Sequence, residues 1–172
     1  VDYIPNIDFS FFPATKNVDE FMSKHPEDKI LIDNGWVGSA QAPNFVWDEI
    51  LYALSEIFAD KLIITTQAMP TKLYNVYPIK EIINSEEEFN LTELSYLSQF
   101  CSVLIGRNSG PHVHMQNYNN CMDESKKLLS FTHQVTGSSF VENTNIKMKK
   151  YWSPYEDDKE VIRRIVEVVN EH

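Results

Sequence analysis

Residues 103–114 read Val-Leu-Ile-Gly-Arg-Asn-Ser-Gly-Pro-His-Val-His, and this stretch predicts both a fold and a site. A short apolar run ends at Gly106, a polar turn follows, and Pro111 favours the start of a helix. A buried strand that leads through a glycine-containing turn into a helix is a common anion site, because free backbone N–H groups and the helix dipole point at the turn. Arg107 adds a positive charge with the fork geometry that suits phosphate. The stretch therefore predicts binding of a phosphate or of a molecule that carries one.

Three other apolar runs have the same character, at residues 30–32, 62–64 and 128–129. Each is too short for a helix and does not alternate with polar residues, which is typical of strands buried on both faces. A last short strand is predicted near residues 149–152. Helical patterns lie between these strands. The alternation predicts an α/β fold, a three-layer Rossmann-like domain with a mainly parallel sheet of about five strands.

The helices are indicated by capping residues and by apolar residues at helical spacing. Their starts are predicted at four places, namely Asn17 with Glu20, residue 44, Asn90 with Glu93, and the Ser-Pro-x-Glu sequence of residues 153–156. Residues 1–16 have no clear period, and we expect an extended segment that packs on the body of the domain. Residues 17–172 are expected to form the single Rossmann-like domain.

Polar and glycine residues follow each predicted strand, at residues 33–39, 65–67, 106–111 and 130–134. In a parallel sheet the C-terminal ends of the strands lie along one edge, and ligands bind at that edge. Gly35 allows a close backbone approach in the first of these loops, and the ring of Trp36 could cover a sugar or a base. A turn with a packing tryptophan is an equal alternative for this loop.

One longer pattern resembles a known family. It combines Asp-Asn-Gly-Trp at 33–36, Thr-Thr-Gln at 65–67 and Leu-Thr-Glu-Leu-Ser-Tyr-Leu-Ser-Gln-Phe-Cys-Ser-Val-Leu-Ile-Gly-Arg-Asn-Ser-Gly-Pro-x-x-His at 91–114. The pattern is similar to the C-terminal, nucleotide-sugar-binding half of GT-B glycosyltransferases, above all to the heptosyltransferase-like family. There an [Asp/Asn]-Ser-Gly-Pro-x-x-His turn follows a strand. The resemblance covers roughly residues 28–135.

The resemblance implies that Ser109, Gly110 and the neighbouring N–H groups hold the diphosphate of a sugar donor. Gly35 and its neighbours would approach the diphosphate, and the loop from Thr66 would lie near the base. His114 would donate to a phosphate oxygen. The complete set of predicted ligand-binding residues is Asn34, Gly35, Trp36, Thr66, Arg107, Asn108, Ser109, Gly110 and His114.

Sugar transfer also needs a base that deprotonates the acceptor hydroxyl. Asp33 and His112 are the only candidates at the predicted edge. In the family the proposed base lies in the N-terminal half, and GT-B enzymes have two Rossmann-like halves. This chain has the length of one half, so a preceding domain or an oligomeric partner is an expected complement. The first loop also lacks the Lys or Arg that usually faces the donor phosphates.

Composition narrows the class of protein. The chain has 172 residues, of which 42% are hydrophobic, and a formal net charge of −10. Such an acidic protein is a poor candidate for non-specific binding of nucleic acid, which requires a cationic face. Two cysteines without paired spacing indicate no disulfide framework, and we expect a reducing, cytoplasmic compartment. No transmembrane run or signal peptide is evident.

Other functions remain as alternatives. His112 and His114 are two residues apart and would point in different directions on a helix, so no metal site is predicted. No cofactor is predicted either, because Gly35-x-x-Gly38 is only an incomplete dinucleotide fingerprint. The chain could be a non-catalytic Rossmann-like module for binding or assembly. It could also be a flavodoxin-like enzyme that acts on a phosphorylated metabolite.

Overall fold

The computed structural model describes residues 4, 6–12, 14–38, 42–84, 90–133 and 145–171. Six strands pair in parallel throughout this part of the chain, in the order β3-β2-β1-β4-β5-β6. They are β1 (Lys29–Ile32), β2 (Leu62–Thr65), β3 (Val76–Pro78), β4 (Val103–Arg107), β5 (Lys127–Phe131) and β6 (Lys149–Ser153). The three-layer α/β prediction is confirmed. The additional strand is β3, which has only three residues and ends in a proline, so no apolar run indicated it.

Helices cover both faces of the sheet. They are α1 (Ala14–Lys24), α2 (Trp47–Ile57), α3 (Ile79–Ile83), α4 (Leu91–Ser98), α5 (Gly110–His114), α6 (Tyr118–Cys121) and α7 (Asp158–Asn170). A core on one face is built with α2 and α7, and a core on the other face with α1, α3 and α4. Among the described helices, none is long and apolar enough to cross a membrane.

Each strand contributes side chains to both cores, because successive residues of a strand point to opposite faces. In β1, Ile30 and Ile32 pack with α2 and α7, whereas Leu31 packs with the helices of the opposite face. All four residues of β1 are buried. The continuous apolar runs of the sequence are therefore a direct consequence of a parallel sheet covered on both sides.

Three helix starts differ from their prediction. Helix α2 begins at Trp47 rather than at residue 44. Helix α1 begins at Ala14 rather than at Asn17, whose side chain instead donates to the carbonyl of Ile83 at 2.7 Å. Helix α7 begins at Asp158, because the side chain of Asp157 accepts from two backbone N–H groups of the first turn. Ser153, the predicted start, is the last residue of β6. The capping box of Asn90 and Glu93 is present as predicted.

The predicted N-terminal segment is partly described. Phe9–Phe11 form a short 3-10 helix, and Phe9 is buried with its ring 5.2 Å from that of Tyr96. Residues 134–144, which follow β5 in the chain, lie outside the described part.

Two lysines, the buried Lys126 and the half-buried Lys127, bind backbone carbonyls at the N-terminal edge of the sheet. The ammonium group of Lys126 donates to the carbonyls of Ser98, Gln99 and Cys101 just after α4, at 3.3, 2.7 and 2.6 Å. Lys127 makes the same kind of contact with the end of α7. Carbonyls at a helix C-terminus lack partners within the helix, so these cations satisfy acceptors that would otherwise be buried without a donor.

Replacing Lys126 by Met should therefore destabilise the fold. Methionine keeps the apolar stem but donates no hydrogen bond, and we expect a loss of about 2–3 kcal/mol in the free energy of unfolding. Urea denaturation of Lys126→Met and of the exposed control Lys147→Met measures the difference. Equal stability of the two variants would contradict the capping role.

Candidate functional site

A row of polar residues crosses the sheet at its C-terminal edge, on the face covered by α1, α3 and α4. Lower in the sheet the corresponding row is apolar, with Ile64, Leu31, Leu104 and Leu128 in register. Two residues further along each strand, the same face presents the polar row, which consists of the three polar residues Thr66, Asp33 and Ser130 and of Gly106 between Asp33 and Ser130. The chemistry of this face thus changes from aliphatic to hydrogen-bonding within one repeat of the strand.

Asp33 is the centre of the polar row. Its Oδ1 accepts from the hydroxyl of Thr66 at 2.8 Å and from the N–H of Gly35 at 3.3 Å, and its Oδ2 accepts from the hydroxyl of Ser109 at 2.6 Å. The side chain thereby joins the residues that follow β1, β2 and β4. Asp33 is only 2% exposed. The structure therefore brings together three predicted binding residues around one of the two candidate bases.

Ser109 begins α5 as its N-cap, and its hydroxyl also accepts from the N–H of His112 at 3.3 Å. Among the described residues, no acceptor is found for the backbone N–H groups of Ser109 and Gly110. These two groups can donate to a ligand. The predicted helix start is present, but α5 has only five residues, so its dipole is small.

His112 fills the space that Gly106 leaves open in the polar row. A β-carbon at Gly106 would lie 2.7 Å from Nδ1 of His112 and 3.1 Å from the β-carbon of Asp33. The ring is fully buried, and its Nε2 lies 2.5 Å from the hydroxyl of Ser130. Burial lowers the pKa of His112 to about 4, although the charge of Asp33 acts in the opposite direction. The imidazole is therefore neutral at pH 7. Because the ring is fully buried, the hydroxyl of an acceptor substrate cannot contact it.

Arg107 lies elsewhere than the sequence suggested. It is the last residue of β4 rather than part of the turn, it is 1% exposed, and it points to the opposite face of the sheet, towards α2. Its guanidinium donates to the carbonyls of Gly35 and Phe45 at 2.9 and 2.5 Å. It also stacks over the ring of Phe45, with its carbon 4.7 Å from the ring centroid.

The consequence is that Arg107 organises the first loop instead of presenting a free charge. The same guanidinium donates to Oδ1 of Asn44, and the side chain of Asn44 pairs with both backbone groups of Val37. Burial lowers the pKa of Arg107, partly offset by the charge of Asp33. The reversal follows from strand alternation, because Gly106 and Arg107 must face opposite sides.

Asn34 fastens the first loop to the second. Its side chain accepts from the N–H of Gln67 at 2.7 Å and donates to the carbonyl of Gln67 at 3.1 Å, which imitates a strand pair beyond the end of β2. Trp36 is 74% exposed at the loop tip, where its ring is available to a ligand. Asn108 is buried beside β5, with its N–H donated to the carbonyl of Phe131.

The two histidines of the motif have different environments. His112 is buried, whereas His114 is exposed and bonds through Nδ1 to the carbonyl of Gly110 at 2.9 Å. Within the described ranges, no group of three or more His, Cys, Asp or Glu side chains is placed to hold a metal ion.

The sequence places Gln67, Gly106 and Ser130 at this edge without giving them a role, and it does not indicate Asn44 and Phe45. A register argument could have shown which face Ser130 lies on, since it follows a buried leucine of the predicted strand by two residues. Nothing local in the sequence indicates Asn44 or Phe45, because their role depends on a guanidinium that lies about sixty residues away.

Comparison with solved structures finds this fold in glycosyltransferases. ADP-heptose LPS heptosyltransferase II of E. coli superposes with a TM-score of 0.57 at 11% sequence identity, over 96% of this chain and 53% of that chain. The glycosyl transferase family 9 structure from Veillonella parvula DSM 2008 gives a TM-score of 0.51 at 16% identity, over 88% of this chain and 44% of that chain. No protein-family description and no curated protein sequence matches the chain.

The chain thus spans about half the length of the structures that it matches. The glycosyltransferase-like fold predicted from the resemblance is confirmed, and at these identities the likeness concerns the fold alone.

Substitution of Gly106 by Ala should destabilise the protein. The new β-carbon would overlap the ring of His112, which is held by Ser130, so we expect a loss of about 1–3 kcal/mol. Gly38→Ala is the matched control, because no atom lies within 4 Å of a β-carbon there. Urea denaturation compares the two. If both variants were as stable as the wild type, the packing of His112 against Gly106 would be refuted.

The buried imidazole also predicts a dependence of stability on pH. The folded pKa of His112 is about 4, below its ordinary value of 6.5, so the unfolded chain binds this proton more readily. The contribution of the neutral imidazole to the free energy of unfolding is fully present above pH 6.5. It is lost as the pH falls towards 4, by about 3 kcal/mol in total. Denaturation at pH 7.5, 6 and 5 measures it. His112→Gln should weaken the dependence of stability on pH, and the exposed control His114→Gln should leave it unchanged. If His112→Gln kept the full dependence, groups other than His112 would be its cause.

Proposed function

We propose that the C-terminal edge of this sheet binds a nucleotide sugar through its diphosphate, as the donor-binding half of a glycosyltransferase would. The observation that carries the proposal is the pair of backbone N–H groups at Ser109 and Gly110, which have no acceptor in the described chain. They lie at the edge where parallel sheets bind ligands, in a fold that heptosyltransferase II shares.

The loops around this position are held in place before any ligand arrives. Arg107 and Asn44 hold the first loop, and Asn34 joins it to the second at Gln67. A binding loop that is already ordered loses less conformational entropy on association. In this arrangement Gly35 offers backbone approach, and the exposed ring of Trp36 is available to stack on a sugar or a base.

The proposal concerns binding by this chain and assigns it no base. Asp33 and His112 are buried, and their side-chain hydrogen bonds are made with Gly35, Thr66, Ser109 and Ser130 rather than with solvent. Transfer of the sugar requires a group that contacts the acceptor hydroxyl. We propose that this group is supplied from outside the described residues, by a further domain or a partner subunit.

A matched pair of variants at one position tests the diphosphate site. Gly110→Pro removes the free N–H, whereas Gly110→Ala adds a β-carbon and keeps the N–H. No atom lies within 4 Å of a β-carbon at this position, and the first turn of a helix tolerates proline. Thermal unfolding is measured with UDP, GDP, ADP and CMP sugars. We expect one nucleotide sugar to stabilise the wild type and Gly110→Ala, and Gly110→Pro to lose most of the shift.

Other results would point elsewhere. Stabilisation by inorganic phosphate without preference for a nucleotide would support an enzyme acting on a phosphorylated metabolite. No response to any nucleotide, together with self-association, would support a binding or assembly module. An equal shift for the proline and alanine variants would remove the Gly110 N–H from the site.

A further inference from the structure

We propose that Asp33 is a specificity-determining residue of this edge, whose negative charge makes the site prefer the diphosphate diester of a nucleotide sugar to the more highly charged free nucleoside diphosphate. The inference rests on the proposed function. It is carried by the position of the carboxylate, which occupies hydroxyl donors that a phosphate would otherwise use.

The hydrogen bonds at Asp33 are those of an anion site that is already filled. Two hydroxyls and one backbone N–H donate to its oxygens, from Thr66, Ser109 and Gly35. Because the Ser109 hydroxyl is directed at Asp33, the donors that this turn offers to an incoming phosphate, within the described residues, are the backbone N–H groups of Ser109 and Gly110. The internal carboxylate then lies directly behind Ser109, at 2.6 Å from its hydroxyl oxygen.

Two other ionisable groups lie near Asp33, namely Arg107 and His112, and the charges of Arg107 and Asp33 attract each other. Arg107 faces the opposite side of the sheet, where backbone carbonyls and Asn44 accept its hydrogen bonds. His112 is buried and neutral at pH 7. The carboxylate of Asp33 accepts directly from Ser109, whereas the guanidinium lies on the other face of the sheet, so a ligand at Ser109 lies closer to the charge of Asp33, in a buried and weakly screened environment.

Two forms of the ligand differ in charge at this point. In a nucleotide sugar both phosphates are esterified, and each carries one ionised oxygen. In the free nucleoside diphosphate the terminal phosphate has a further ionisable oxygen with a pKa of about 6, so it carries additional charge at pH 7. Repulsion by Asp33 acts more strongly on the free diphosphate. The intact donor is favoured, and the diphosphate that remains after loss of the sugar is released more readily.

The test compares two dissociation constants in each protein. Titration calorimetry of the full chain at pH 7.5 gives the Kd of UDP relative to UDP-glucose and of ADP relative to ADP-glucose. One charge a few ångströms away in a buried setting should change the ratio by about tenfold. We expect the ratio of the free diphosphate to the sugar ester to fall by that factor in Asp33→Asn.

The control removes the same charge at the other end of the same strand. Asp28 precedes β1, pairs with Lys61 at 3.1 Å, and lies far from Ser109 along the strand. Asp28→Asn should leave the ratio as in the wild type. Thermal unfolding verifies that each variant is folded, and Asp33→Ser, which is also neutral and smaller, replaces Asp33→Asn if the asparagine variant does not fold.

Each outcome decides the inference. An unchanged ratio in a folded Asp33 variant overturns it and leaves the proposed function in place. An equal change in Asp28→Asn overturns it as well, since net charge would then suffice. If neither the wild type nor the Asp33 variants bind any nucleotide, both the inference and the proposed function fail. Binding by the Asp33 variants alone overturns both, because the wild-type site then binds neither form of the ligand.

Discussion

The C-terminal edge of the sheet is organised around the hydrogen bonds made by the carboxylate of Asp33. Parallel pairing brings the ends of β1, β2 and β4 together, and Thr66, Gly35 and Ser109, which follow these strands, all donate to this one side chain. A buried carboxylate requires such donors, since an unpaired charge in the interior is strongly unfavourable. The same hydrogen bonds that stabilise Asp33 therefore hold the beginnings of the three loops together.

Three cationic side chains of this fold donate hydrogen bonds to backbone carbonyls. Arg107 donates to carbonyls of the first loop, and Lys126 and Lys127 donate to carbonyls at the ends of helices. Each makes the burial of polar backbone groups possible at a place where the chain leaves a helix or turns. At the C-terminal edge of the sheet, the groups proposed to bind a ligand are backbone N–H groups rather than cationic side chains.

Much of the architecture follows from local sequence. The apolar runs of β1, β2, β4 and β5 lack alternation, and this is enough to predict a parallel sheet between two layers of helices. Capping was predictable at Asn90, where donor and acceptor lie within one turn. It was not predictable at Asn17, whose amide bonds to Ile83 across the fold. Strand β3 was missed because a three-residue segment has too little pattern.

The sequence by itself determined that polar and glycine residues follow the strands, and hence that they gather at the C-terminal edge of the sheet. The tertiary structure decided which of those residues face it. Strand alternation and register direct Arg107 towards α2, leave a gap at Gly106 and bury His112 in that gap. Only the packed fold decides the orientation of these side chains. The partner of a side chain depends on which distant segment lies opposite it, and the residues next to it in the sequence do not indicate that segment.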